Sequence, residues 1–152
     1  MKILVPVDYS DHSRTVLDRA LELGRALFAD VCIVHVWETQ PKVPPNIKVT
    51  LPDGRTSTIA ELIHEEAEQG MAAFLATVKI PVGVTVSHRI LSGAAADALV
   101  REAEEGGFDL IVMGTQGRSG LGRLVLGSVA ERVLRSSTVP VLAVPARKPA
   151  QA

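Results

Sequence analysis

Cys32 is the only cysteine in the chain, so no disulfide can form within it, and the composition suits a reducing cytosol. The residue sits in the apolar run Val31-Cys32-Ile33-Val34, where a buried, inert thiol is expected. Aromatic residues make up only 3% (Tyr9, Phe28, Trp37, Phe74 and Phe108), which argues against a base-stacking platform for single strands. An excess of one charge is also missing. The net charge is -1 with no run of like charges, so no surface for nucleic acid or another polyanion is indicated. No apolar stretch approaches the roughly 20 residues of a membrane span. Lys2 is followed by only five uncharged residues before Asp8, which leads us to expect no signal peptide and a cytoplasmic protein.

What is present is a large apolar fraction, 47% of 152 residues, enough for the core of one domain. We take 1–146 as that domain and 147–152 as a flexible tail. Short apolar runs alternate with helical patterns. Strands are expected at Ile3–Val7, Val31–Trp37, Val82–Val86, Leu110–Met113 and Val139–Val144. Helices are expected at Asp11–Phe28, Thr58–Val78, Ser92–Glu105 and from Gly127-Ser128 to about Arg135. Ser92 is positioned to cap the third helix. Five strands alternating with four helices imply a parallel sheet covered on both faces. The stretch 38–57 is long for a connection in such a domain. In it Ile47, Val49 and Leu51 alternate before the turn Pro52-Asp53-Gly54, the pattern of a small β-hairpin. This excursion reads as a lid, a dimer contact or a plain surface loop.

The most informative segment is Gly114 to Ser128, G-T-Q-G-R-S-G-L-G-R-L-V-L-G-S. It follows the apolar run Asp109–Met113 and ends where a helical pattern starts. A glycine-rich turn between strand and helix can wrap phosphates, because the main chain approaches closely and the helix N-terminus adds partial positive charge. In open α/β sheets ligands sit beyond the carboxyl ends of the strands, where the strand order reverses. The loop Asp8-Tyr9-Ser10 and the glycine loop would face each other there if the first and fourth strands are neighbours.

The spacing G-x2-G-x9-G-S, the opening Lys2–Asp8, His35-Val36 at the end of the second strand and the close Pro140–Pro145 together resemble the universal stress protein family. The resemblance covers nearly the whole chain apart from 38–57. It implies the ATP-binding subclass, a flavodoxin- or Rossmann-like strand order 3-2-1-4-5, and a homodimer. Carried over by residue, it implies an adenine pocket of Val7, Val36 and Met113, with Asp8 accepting from the ribose hydroxyls. Gly114, Gln116, Gly117 and Arg118 would hold ribose and phosphates. Gly127, Ser128 and Val129 would cradle the terminal phosphates. Gln116 departs from the family, whose members often carry histidine there; glutamine donates a hydrogen bond but adds no charge. Mg²⁺ would arrive with ATP, held mainly by phosphates and water.

Structural roles compete for the same residues. Val7, Val36 and Met113 would be core with or without ligand. Ser128 with Glu131 spells the capping box S-x-x-E. Asp8 could serve as an acid near a helix start, although Asp11 is better placed for that. Other chemistries fail on residues. There is no G-x4-G-K-[ST], no H-x-G-H, no G-x-S-x-G and no H-E-x-x-H. His12, His35, His64 and His88 show no ligand spacing with Cys32, so no built-in metal site and no catalytic residue is assigned. Two further readings stay open: a dimeric interaction module that binds no nucleotide, and a phosphoryl- or adenylyl-transfer enzyme. An uncharged fifth strand, Val141–Val144, at the sheet edge calls for a cover. Pairing with a second copy would supply it. The downstream protein partner is not named by any residue.

Overall fold

The computed structural model describes residues 1–38, 42–116 and 126–146. In chain order it contains β1 (Lys2–Pro6), α1 (Asp11–Leu27), β2 (Asp30–Trp37), β3 (Lys48–Thr50), β4 (Thr56–Thr58), α2 (Ile59–Leu75), β5 (Val86–Ser92), α3 (Ala95–Glu105), β6 (Leu110–Gly114), α4 (Ser128–Ser136) and β7 (Val141–Val144). Five strands form one parallel sheet ordered β5-β2-β1-β6-β7. Counting only the strands of that sheet, this is the expected order 3-2-1-4-5.

Alternation along each strand divides the core in two. Ile3, Val5 and Val7 join Val31, Ile33 and Val112 under α1 and α2, with Leu17, Leu21, Met71 and Phe74. Leu4, Cys32, Val34, Ile111 and Met113 point the other way, against Leu99 and Ala103 of α3 and Ala130 and Val133 of α4. Both faces are therefore covered, which is why the central strands read as unbroken apolar runs. Burial also pushes the Cys32 thiol pKa up, against a smaller opposing effect from the hydrogen bond to Ser87.

Helix starts follow local chemistry. The Ser10 hydroxyl accepts from Ser13 N and caps α1. Thr58 and Glu61 form a reciprocal capping box at α2. The Thr58 N–H, with the hydroxyls of Ser57 and Thr58 adding to it, holds the Glu61 carboxyl below its usual range. The expected hairpin in the 38–57 excursion is present: β3 and β4 pair antiparallel, with Leu51 and Gly54 closing the turn.

Three sequence expectations are corrected. The third strand of the sheet is not Val82–Val86 but Val86–Ser92. Val84 N bonds Pro81 O and Gly83 has φ 88, so 81–84 turn rather than extend. The third helix starts at Ala95, not Ser92. Ser92 is still paired with Trp37 in the sheet, and the N-cap Ala94 has no side-chain cap. The S-x-x-E box at Ser128 does not form: Gly127 is the N-cap, no side chain caps the helix, and Glu131 pairs with Arg135 at 2.9 Å. The expected tail, 147–152, lies outside the described residues.

Candidate functional site

β1 lies between β2 and β6, so the chain reverses its direction of winding there. β1 pairs with β6 over Ile3↔Leu110 and Leu4↔Ile111. Past that pairing a cavity of about 200 Å³ opens. Its apolar lining includes Val7, Val36, Leu99 and Met113, and its polar lining includes Asp8, His12, Ser13, Gly114, Gln116, Gly127 and Ser128. Nine of the eleven residues expected at the site line this one cavity: Val7, Asp8, Val36, Met113, Gly114, Gln116, Gly127, Ser128 and Val129. Gly117 and Arg118 lie outside the described residues.

The loop from Asp8 to Ser13 is tightly cross-linked. Asp8 Oδ1 accepts from Ser10 N at 3.0 Å and from Ser13 Oγ at 2.6 Å, and Asp8 N donates to Ser13 Oγ at 2.9 Å. Asp8 therefore shapes its loop as well as lining the cavity, while Asp11 takes the first-turn position that complements the helix dipole. Val7 is itself held at the strand end. Its N–H donates to Val34 O, and its carbonyl accepts from His35 Nδ1 at 2.9 Å. That bond puts the His35 proton on Nδ1 in the neutral ring.

On the other side, Gly127 N donates to Thr115 O at 2.7 Å, which joins the start of α4 to the end of β6. Gly127 has φ -61 and ψ 149, angles open to any residue, so its backbone does not require glycine. Gly114 is different. A Cβ there would stand 2.6 Å from His12 Nε2 and 2.8 Å from His12 Cδ2. The imidazole of α1 thus lies directly on the β6 backbone, and its Nε2 is buried with no hydrogen-bond partner.

His12, Ser13 and His35 were not among the expected site residues. His35 was visible only as part of the strand-end pattern. Ser13 and His12 face the cavity through the pitch of α1, and the closeness of His12 to Gly114 depends on a contact between distant parts of the chain. Among the described residues no group of three or more His, Cys, Asp or Glu could hold a metal ion. No described helix is long and apolar enough to cross a membrane.

A five-stranded parallel sheet with helices on both faces and a cavity at its switch point defines a doubly wound α/β protein. The universal stress protein family model matches residues 1–145, and the chain belongs to that family. A universal stress protein of Methanocaldococcus jannaschii is 36% identical over 144 residues, spanning 94% of this chain and 81% of the relative. The solved structure of a second universal stress protein of that organism superposes with a TM-score of 0.75 at 25% identity, covering 97% of each chain. A universal stress protein solved in complex with cAMP superposes with a TM-score of 0.59 at 29% identity, covering 95% of this chain and 96% of that one.

Proposed function

We propose that this protein binds an adenine nucleotide, ATP with its Mg²⁺ carried by the phosphates, in the cavity between β1 and β6. The nucleotide acts as a signal or stabiliser in a stress response, with slow hydrolysis at most. The observation that carries this reading is the composition of one cavity: an aliphatic wall of Val7, Val36 and Met113 meets a polar wall of Asp8, Gly114, Gln116, Gly127 and Ser128. The aliphatic side suits a purine face and the glycines suit close approach of an anion. The cavity is smaller than the roughly 300–1,000 Å³ usual for ligand sites, so it matches a nucleoside whose phosphates run out along Gly114 and Gly127. With no metal-ligand cluster among the described residues, Mg²⁺ would be bound by phosphates and water. The cAMP complex of a relative supports the adenine class.

ATP selects and stabilises the conformation that binds it. A ligand at a hundred times its dissociation constant adds about 2.7 kcal/mol, a melting shift of roughly 5–10 °C for a chain of this size. Nucleotide-free protein should show that shift with millimolar ATP and Mg²⁺. No shift would overturn the nucleotide reading and favour the interaction module. A catalytic burst of labelled product would instead favour a transferase.

The same reading includes a homodimer formed through β7. β7 ends the sheet, and Leu142 at its centre is 41% exposed. A shallow groove beside it is lined by Arg19, Glu22, Leu23 and Ala26 of α1 together with Leu142–Pro145. An uncharged edge strand flanked by Leu23 and Ala26, with the paired Arg19 and Glu22 beside them, is a surface that a two-fold partner could cover.

A further inference from the structure

The ionisable groups of the described cavity lining are Asp8, His12 and His35. None of these is a permanent cation, and Asp8 is an anion at neutral pH. A phosphorylated ligand therefore meets no permanent cation in the described lining. His35 is already committed: its Nδ1 donates to Val7 O and its ring is stacked on Tyr9. His12 is not. Its Nε2 is buried without a partner, on the backbone of Gly114, one residue from the Thr115 carbonyl that holds Gly127. A buried polar atom left unpaired, on a side chain that lines a cavity, is destabilising until something bonds to it.

We infer that His12 recognises phosphate in this cavity, taking up a proton as the nucleotide binds and donating from Nε2 to a phosphate oxygen at the Gly114–Gly127 end of the cavity. The inference rests on the nucleotide reading above and goes further by making phosphate affinity proton-linked. Gly114 is what allows it. With no side chain there, the ring can lie on β6 and lift away from it, whereas a Cβ would collide with Nε2.

The charges around His12 fit this role. Asp8 stands in the loop before α1 and lines the same cavity, and Asp11 precedes His12 on α1. Arg14, on the same helix, sends its guanidinium to Thr77 O. From β2 the ionisable group of the lining is His35, and from the end of β6 the lining residue is the neutral Gln116. Histidine is the side chain whose charge changes between about pH 5 and 8.

The test is equilibrium binding of ATP with Mg²⁺, and separately of adenosine, to nucleotide-free wild type, His12→Gln and His12→Ala, at about pH 6 and about pH 8. Glutamine keeps a donor of similar reach without the charge. ATP titrates in this range itself, so the pH slope of His12→Gln carries the ligand's part and the difference from wild type reads His12. The expected result is that wild type binds ATP about tenfold or more tightly than either variant at the lower pH. The gap should shrink at the higher pH, with adenosine affinity unchanged. In the NMR spectrum the imidazole Hε1 signal missing from His12→Gln should titrate at a higher pH when ATP is present. Equal ATP affinities and slopes in all three proteins would overturn the inference while leaving nucleotide binding intact. So would variants that lose adenosine as much as ATP, since that marks a packing role. A wild type that binds no ATP at either pH removes the nucleotide reading and this inference together.

Discussion

Tyr9 lies flat on His35, with ring centroids 4.3 Å apart and planes inclined by 20°. Tyr9 has φ 65, a left-handed angle uncommon for a residue with a bulky side chain. The surroundings hold it there. Its hydroxyl donates to Ala67 O of α2 at 2.8 Å, and its ring occupies the space beside Gly70, where a Cβ would stand 2.9 Å from Cε2. A glycine inside a helix costs about 1 kcal/mol relative to alanine; here it lets Tyr9 reach α2. The residue next to Asp8 is thereby anchored to the helix that follows the β3–β4 hairpin. Tyr9→Phe keeps the stack and loses the hydrogen bond, so it should cost about 1 kcal/mol, a melting decrease of roughly 2–4 °C. An unchanged melting temperature would show that the bond to Ala67 adds nothing to the anchor.

Asp8 is expected to have two separable roles. Its Oδ1 binds Ser10 N and Ser13 Oγ, and the nucleotide reading gives its carboxylate the ribose. Asp8→Asn retains a carbonyl oxygen for the loop and should fold like the parent. Its ATP affinity should fall by about 1.5–3 kcal/mol, the worth of a charged hydrogen bond, with affinity for free triphosphate spared. Asp8→Ala should lower thermal stability as well. Equal weakening of ATP and triphosphate in the Asn variant would confine Asp8 to loop architecture.

The two described glycines of the cavity should respond differently to side chains. Gly127 has angles that any residue can adopt, so Gly127→Val should keep its circular dichroism spectrum and lose ATP binding through occupied space alone. Gly114→Ala places a methyl group 2.6 Å from His12 Nε2. It should cost stability by about 1–3 kcal/mol, as overpacking does, and weaken ATP too. A folded Gly127→Val that binds ATP like the parent would put the phosphates elsewhere.

The proposed dimer predicts that Ala143→Pro, which removes an N–H from the edge strand and strains it, yields monomer or aggregate. Size exclusion with light scattering reads this directly. A monodisperse wild-type monomer at tens of micromolar would refute pairing through β7, whatever the variant does.

Most of the fold was legible because local periodicity and core burial agree. The apolar runs at Ile3–Val7, Val31–Trp37 and Leu110–Met113 became β1, β2 and β6, to within a residue or two. The third strand of the sheet was misread because this edge strand is polar and exposed on both faces: Ser87, His88 and Arg89 hide Val86–Ser92. Meanwhile Val82 and Val84, apolar but set in a turn, drew the assignment toward themselves. The S-x-x-E box failed for a related reason. Its spacing is compatible with a cap, but Gly127, tied to Thr115, takes the N-cap position one residue earlier.

The sequence by itself determined the alternation of strands and helices and the glycine segment after the fourth strand of the sheet. These are properties of neighbouring residues, written in periods of two and 3.6 and in turn chemistry. Only the tertiary structure decided that β1 stands next to β6, that Asp8 is tied to Ser13, and that the His12 imidazole rests on Gly114 with an unpaired Nε2. The contact with Gly114 joins residues far apart in the chain. It depends on the packing of α1 across the sheet, where a difference of one methyl group separates contact from collision.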